Sequence, residues 1–237
     1  MVDVALQPDR APGWMGQLIR GLESPTPSNY ARAQLARRTP RAGGEDDSAV
    51  LMLLSGDESA VELPGDASLL ITHRTPSMRS HSGQMAFPGG KIDPADAGPV
   101  DAALREAEEE TGLERNRVAP LAALGTVTAG GSGRAVRPIL AYSADPGRVH
   151  VASPAETDDV FFVPVSTLID PANRFQVSYM GWRGPAFAVK GYVVWGFTGV
   201  LLDVLLDTAG WATPWPVEDV ISLSDALRAS RNREQHS

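Results

Sequence analysis

The stretch from Phe87 to Leu113, FPGGKIDPADAGPVDAALREAEEETGL, constrains this chain more than any other. It opens on a Pro-Gly-Gly turn, passes through a short acidic loop and enters a helix crowded with carboxylates. Pro99 suits the first helical position, where its missing N–H would have had no partner. Gly112 suits the stop, because glycine tolerates the left-handed conformation a helix end often needs. Between them Val100, Ala103, Leu104, Ala107 and Thr111 recur at helical spacing as one apolar or neutral stripe. The opposite side carries Arg105, Glu106, Glu109 and Glu110.

Those acids are poorly placed for stability alone. Glu106 and Glu110 are four apart and stack as a like-charge pair, at a cost of about 0.2–0.5 kcal/mol. Glu108, Glu109 and Glu110 crowd the C-terminal turn, where the helix dipole disfavours anions. Arg105 offsets part of this by pairing with Asp101 and Glu109. An acidic run by itself is usually a solvated face, but two glycines weigh against that here. Gly89 and Gly90 lie one loop upstream, where bare backbone can approach a ligand and turn a carbonyl inward. A hard cation explains the uncompensated charge. Mg²⁺ prefers one or two carboxylates, several waters and a substrate phosphate oxygen.

Here the residues resemble the Nudix hydrolase signature, G-x5-E-x7-R-E-U-x-E-E-x-G-U with U aliphatic. Gly90 takes the first glycine, and REAEEETGL (105–113) takes the second half, with Ala107 and Leu113 in the aliphatic places. The loop acid is Asp96 rather than Glu, and its spacing to Arg105 is one residue longer than the general pattern. The leader LLITHRTPSMRSHSGQMAFPGGKIDPAD (69–96) resembles that of coenzyme A pyrophosphatases within the superfamily, the extra loop residue included. YVVWGFTGVLLDVLL (192–206) is similar to a C-terminal helix of the same branch.

The resemblance implies an α/β fold, a Nudix-type α/β/α sandwich with a mixed β-sheet between helices. It implies metal-dependent hydrolysis of the diphosphate of coenzyme A or acyl-coenzyme A, to 3′,5′-ADP and (acyl-)4′-phosphopantetheine. Glu106 and Glu110 would ligate Mg²⁺ or Mn²⁺ with the Gly90 carbonyl. Glu109 would be a further ligand or the base, and Glu156, in a later acidic loop, the rival base. Arg105 would orient its acidic neighbours. Arg74, Arg79 and Lys91 flank the Gly-Gly turn in sequence, and cations of this kind suit a ribose 3′-phosphate. Two other readings stay open: a Nudix hydrolase for ADP-ribose or a dinucleotide, and a nucleotide-sensing module without catalysis.

Composition narrows the partners. The 237 residues carry a net charge of −8, which argues against nucleic acid or an anionic membrane as partner. Cysteine is absent, which excludes disulfides and thiol chemistry and fits a cytoplasmic setting. No basic start followed by an apolar core marks a secretory signal, and the apolar run from Tyr192 is broken at Asp203, too short to span a bilayer. A homodimer is compatible with all of this.

The rest divides into an N-terminal helix and linker arm (1–47), the hydrolase domain (48–208) and a C-terminal extension (209–237). The arm holds Arg32, Arg37, Arg38 and Arg41 in what reads as a solvated linker. Strands are expected at 49–55, 68–74, 85–87, 118–129, 135–144 and 160–165, then a hairpin over 174–192, a helix from Trp195 to Leu206 and a last helix capped by Ser222 or Ser224. Pro138 demotes its strand to an edge or a bulge. His73 reads as strand-end packing or surface, and His81 as supporting the site at most. Trp182, Trp195, Trp211 and Trp215 are candidates to stack on adenine, although Trp195 sits in the helix pattern and reads first as core.

Overall fold

The computed structural model describes residues 3–23, 47–78, 81–129 and 133–234. Arg79 and the linker arginines Arg32, Arg37, Arg38 and Arg41 lie outside the described residues.

The fold is built around β1 (Ser48–Ser55), whose SAVLMLLS run is buried almost throughout. Such a continuous apolar run belongs to a strand covered on both faces. Ala49, Leu51 and Leu53 join one apolar cluster, and Met52 and Leu54 join another. This is the alternation a strand imposes. Strand β7 (Ala135–Ser143) runs parallel beside β1, from Ser48↔Val136 to Ser55↔Ser143. On its other edge β1 is antiparallel to β2 (Ser68–Arg74) at one end and to β4 (Gly89–Lys91) at the other. Strands β3 (Met85–Ala86) and β8 (Thr157–Pro164) pair with β2, while β5 (Ala119–Ala123) and β6 (Val127–Thr128) pair with β7. Among the described residues the result is one mixed sheet of eight strands.

Helix α2 (Pro99–Thr111) covers one face, setting Val100, Ala103, Leu104 and Ala107 against Ala49, Leu51, Leu53 and Ile139. The other face is covered by α1 (Gly16–Glu23) and α4 (Gly196–Thr208). Leu18, Leu201, Leu202, Leu205 and Leu206 pack there on Met52, Leu54, Leu69 and Leu140. Helix α4 is apolar nearly all round, as a helix buried on most sides must be. The molecule is therefore the expected α/β/α sandwich. After the short α3 (Val165–Ile169) comes a second sheet that the sequence reading did not separate. It comprises β9 (Arg174–Tyr179), β10 (Trp182–Val189), β11 (Tyr192–Val194) and β12 (Val220–Ser222), in the order β11-β10-β9-β12. Ser222 accepts from Asp225 N–H and caps α5 (Leu223–Arg228).

Both terminal stretches pack onto the sandwich. Trp14, Met15 and Leu18 are core residues. The Asp3 carboxylate accepts from the N–H groups of Val100 and Asp101, each at 3.1 Å. It thus caps α2 from outside, where Gly98 has no side chain to do so. Asn232 is fully buried, with its side-chain amide bonded to the Val193 backbone in both directions.

Several local expectations are corrected. The Gly-Gly segment is the strand β4, not a turn: a Cβ at Gly89 would lie 2.7 Å from Val50 Cα, so only glycine lets the two strands pair this closely. The expected strand 118–129 is two strands split at 124–126. The split faces Pro138, which lies inside the sheet rather than on an edge. The interruption falls on the partner chain segment, where Leu124 N–H still donates to Pro138 O at 2.9 Å.

Candidate active site

Helix α2 sorts its acids by face. Gly112 ends it in the left-handed conformation (φ 67°), its N–H donating to Glu108 O. Glu108 and Glu109 are exposed, paired with Arg115 and Arg105 respectively. Glu106 and Glu110 turn toward β4 and a cavity of about 360 Å³. Gly90 makes that approach feasible, since a Cβ there would lie 2.6 Å from Glu106 Oε2. The Gly89 N–H donates to Glu110 Oε2 at 3.3 Å. Glu156 reaches the same cavity from the start of β8, its carbonyl accepting from Thr75 N–H just past the end of β2.

Arg105 holds this face together. It donates two bonds to Asp96, at 2.8 and 2.9 Å, and one each to Glu106 and Glu109 at 3.1 Å. It also donates to Lys91 O at 3.1 Å, tying the helix to β4. The loop acid Asp96 is thus an arginine partner, and the Arg105 guanidinium holds its carboxyl below the usual range. The expected Arg105–Asp101 pair is replaced: Asp101 pairs with Arg115 at 3.1 Å. Burial pushes the Glu106 carboxyl up despite Arg105. Burial pushes Glu110 further, to about 8, with Arg74 opposing and Glu106 and Glu156 reinforcing the shift. Taking charge out of water is costly, and a cation between these carboxylates would reverse that cost.

Of the other expected residues, Arg74 and Lys91 line the cavity, and the buried Arg74 Nε has no hydrogen-bond partner among the described residues. Glu109 is not among the lining residues. Trp195 packs at the edge of a buried cluster, in line with a core reading, and from the N-cap position of α4 it also lines the cavity with Phe197, Met85 and Phe87. Arg134 and Gln84 also line it and were missed. Gln84 sits in the HSGQ segment, whose clustered polar side chains were its only signal; Arg134 follows a glycine-rich run of sequence and carries none. His81 lies at the exposed rim, bonded to Gln84 at 3.1 Å. His73, next to the end of β2, takes the packing alternative rather than the surface one. It is fully buried, its Nδ1 against Asp158 and its Nε2 3.1 Å from the carbonyls of Gly83 and Asn232.

The donor set suits a divalent hard cation. Among the described residues no three His, Cys, Asp or Glu side chains close a metal cage by themselves. Two facing carboxylates beside a bare glycine backbone match an ion that keeps waters and takes its remaining oxygens from substrate. A larger cavity of about 600 Å³ opens between the second sheet, α4 and residues 212–218. Its charge centre is the Arg174–Asp203 ion pair, with Trp215 lying over the guanidinium. Trp215 lines this second cavity, and neither it nor Trp211 and Trp182 lines the carboxylate cavity.

The NUDIX domain profile matches residues 48–182. The chain is 32% identical over 186 residues to the uncharacterized Nudix hydrolase NudL of Citrobacter koseri, covering 74% of this chain and 91% of that protein. It is 33% identical over 147 residues to a probable nudix hydrolase of Schizosaccharomyces pombe, covering 60% of this chain and only 50% of that longer protein. Among solved structures, a Nudix hydrolase of M. smegmatis, RenU, is 26% identical with a TM-score of 0.42, covering 55% of this chain and 78% of that one.

Proposed function

The chain belongs to the Nudix family, and from that premise we propose that it is a pyrophosphohydrolase of coenzyme A or acyl-coenzyme A. The single observation that carries the reaction class is the meeting of Glu106, Glu110 and Glu156 with the Gly89–Lys91 backbone in one cavity. Glu106 and Glu110 would hold Mg²⁺ or Mn²⁺, aided by the Gly90 carbonyl, and the ion would screen diphosphate charge and acidify water. Arg105 keeps Glu106 oriented and locks the helix to β4. Glu156 is the better-placed base, because Glu109 is engaged by Arg105 on the exposed side. Glu156 takes a proton from water as the oxygen attacks one phosphorus. The P–O bond to the bridging oxygen breaks, and that oxygen leaves with the second phosphate.

Coenzyme A is favoured by the leader resemblance and by Arg74 and Lys91 on the cavity lining. The apolar wall of Met85, Phe87, Trp195 and Phe197 offers room for a non-phosphate arm. The test is a panel of diphosphate compounds with Mg²⁺ and Mn²⁺, the products identified by mass. Cleavage of coenzyme A to 3′,5′-ADP, with kcat/KM falling sharply when the 3′-phosphate is removed, is the expected result. Indifference to that phosphate would redirect the assignment to another nucleoside diphosphate derivative.

A further inference from the structure

The C-terminal tail lies outside the profile match, yet it reaches the cavity wall. Asn232 docks it on β11, its Oδ1 accepting from Val193 N–H at 2.8 Å and its Nδ2 donating to Val193 O at 3.0 Å. The tail then presses on the 81–84 loop: a Cβ at Gly83 would lie 2.8 Å from Glu234 N. Three side-chain donors converge on the Glu234 carboxylate. Trp195 Nε1 donates at 2.8 Å and Asn232 Nδ2 at 3.0 Å to Oε1, and Gln84 Nε2 donates at 3.4 Å to Oε2. Two of those donors, Trp195 and Gln84, line the active-site cavity from different elements, the start of α4 and the loop after β2. Trp195 also meets the rings of Tyr179 and Trp182 at centroid separations of 6.2 and 6.1 Å.

A half-buried indole with its N–H tied to a fixed acceptor presents its face in one orientation. Groups held in place before binding cost less to order when ligand arrives. We propose that Glu234 is a positioning residue for substrate: it holds the Trp195 indole and the Gln84 amide as the wall against which one organic arm of the diphosphate packs. This rests on the reading that the cavity binds a substituted diphosphate. It adds that recognition of the arm is delegated to a tail beyond the matched domain. Phe197, Met85 and Phe87 beside Trp195 make that arm apolar or aromatic in character.

The test uses the full chain and the best substrate of the panel. Glu234→Ala should raise KM about 5- to 20-fold while kcat stays within about 2-fold, the signature of lost binding common to ground and transition states. Glu234→Gln keeps an acceptor for the indole and should restore KM to within about 3-fold of wild type. Trp195→Phe removes the N–H, so adding Glu234→Ala to it should cost less than the two changes separately. The effect should vanish on substrates or competitive inhibitors truncated at one of the two arms, which identifies the arm on Trp195. Unchanged KM, equal losses on every compound, strict additivity with Trp195→Phe, or a parallel fall of kcat would each overturn the proposal. A wild-type protein inert toward the whole panel would instead sink the functional reading and this inference with it.

Discussion

Four residues separate Glu106 from Glu110, and that spacing stacks them on one face of α2. What spacing does not say is which way the face looks. Ala103 and Ala107 decide it, because they must pack under Leu51 and Leu53 and so turn the two glutamates to β4. Glu110→Gln keeps the shape and removes the charge. It should lower kcat at least about 100-fold, more than a supporting residue of a metal site costs, while the thermal midpoint holds or rises. Metal titration against activity checks it, and unchanged turnover would remove Glu110 from the site. Gly90→Ala should lower activity more than about 10-fold with unchanged circular dichroism, because its Cβ displaces the Glu106 carboxylate. An active alanine variant would mean that Glu106 need not sit where it does.

At the scale of elements, α2 depends on a residue nearly a hundred positions away. Its first N–H groups are capped by Asp3. Asp3→Ala should cost about 1 kcal/mol in urea unfolding, with kcat little changed. A midpoint equal to wild type would show that water caps the helix as well. Strand β9 is joined to α4 through the buried Arg174–Asp203 pair. Burial pushes the Asp203 carboxyl up to about 6 even beside the guanidinium. Arg174→Met strands that acid, and a loss of about 3–5 kcal/mol is expected. If the loss is under 1 kcal/mol, the second sheet is held to the sandwich by other contacts.

For the whole molecule, raised carboxyls set the pH dependence. Glu110 at about 8, Glu234 at about 7 and Asp203 at about 6 lie above their ordinary values of 4.5 and 3.8, chiefly because burial penalises the charge. The native protein therefore keeps protons that the unfolded chain releases above about pH 4. Their contribution to stability is complete below that point and is lost as pH rises through about 6, 7 and 8. Asp96 acts oppositely. Its carboxyl is lowered by Arg105, so its contribution is present above the ordinary 3.8 and lost on further acidification. Urea midpoints in the presence of a chelator should peak near pH 4–5 and decline to pH 8. A flat or rising midpoint between pH 5 and 8 would contradict this.

How much was legible follows from the range of the forces involved. Helix α2, its stop at Gly112, the buried β1 and the pairing of Glu106 with Glu110 are local matters. Periodicity, glycine and proline carry them, so the amino-acid sequence by itself determined the helix and its acidic face, while the sandwich followed from the family resemblance. Three features were decided only by tertiary structure. His73 is buried against Asp158, Trp195 lines the cavity from the start of α4, and the Glu234 tail bonds to that wall. Each depends on partners brought together from distant parts of the chain. Hydrogen bonds of that kind are selected by packing after the helices and strands exist, and no window of neighbouring residues records them.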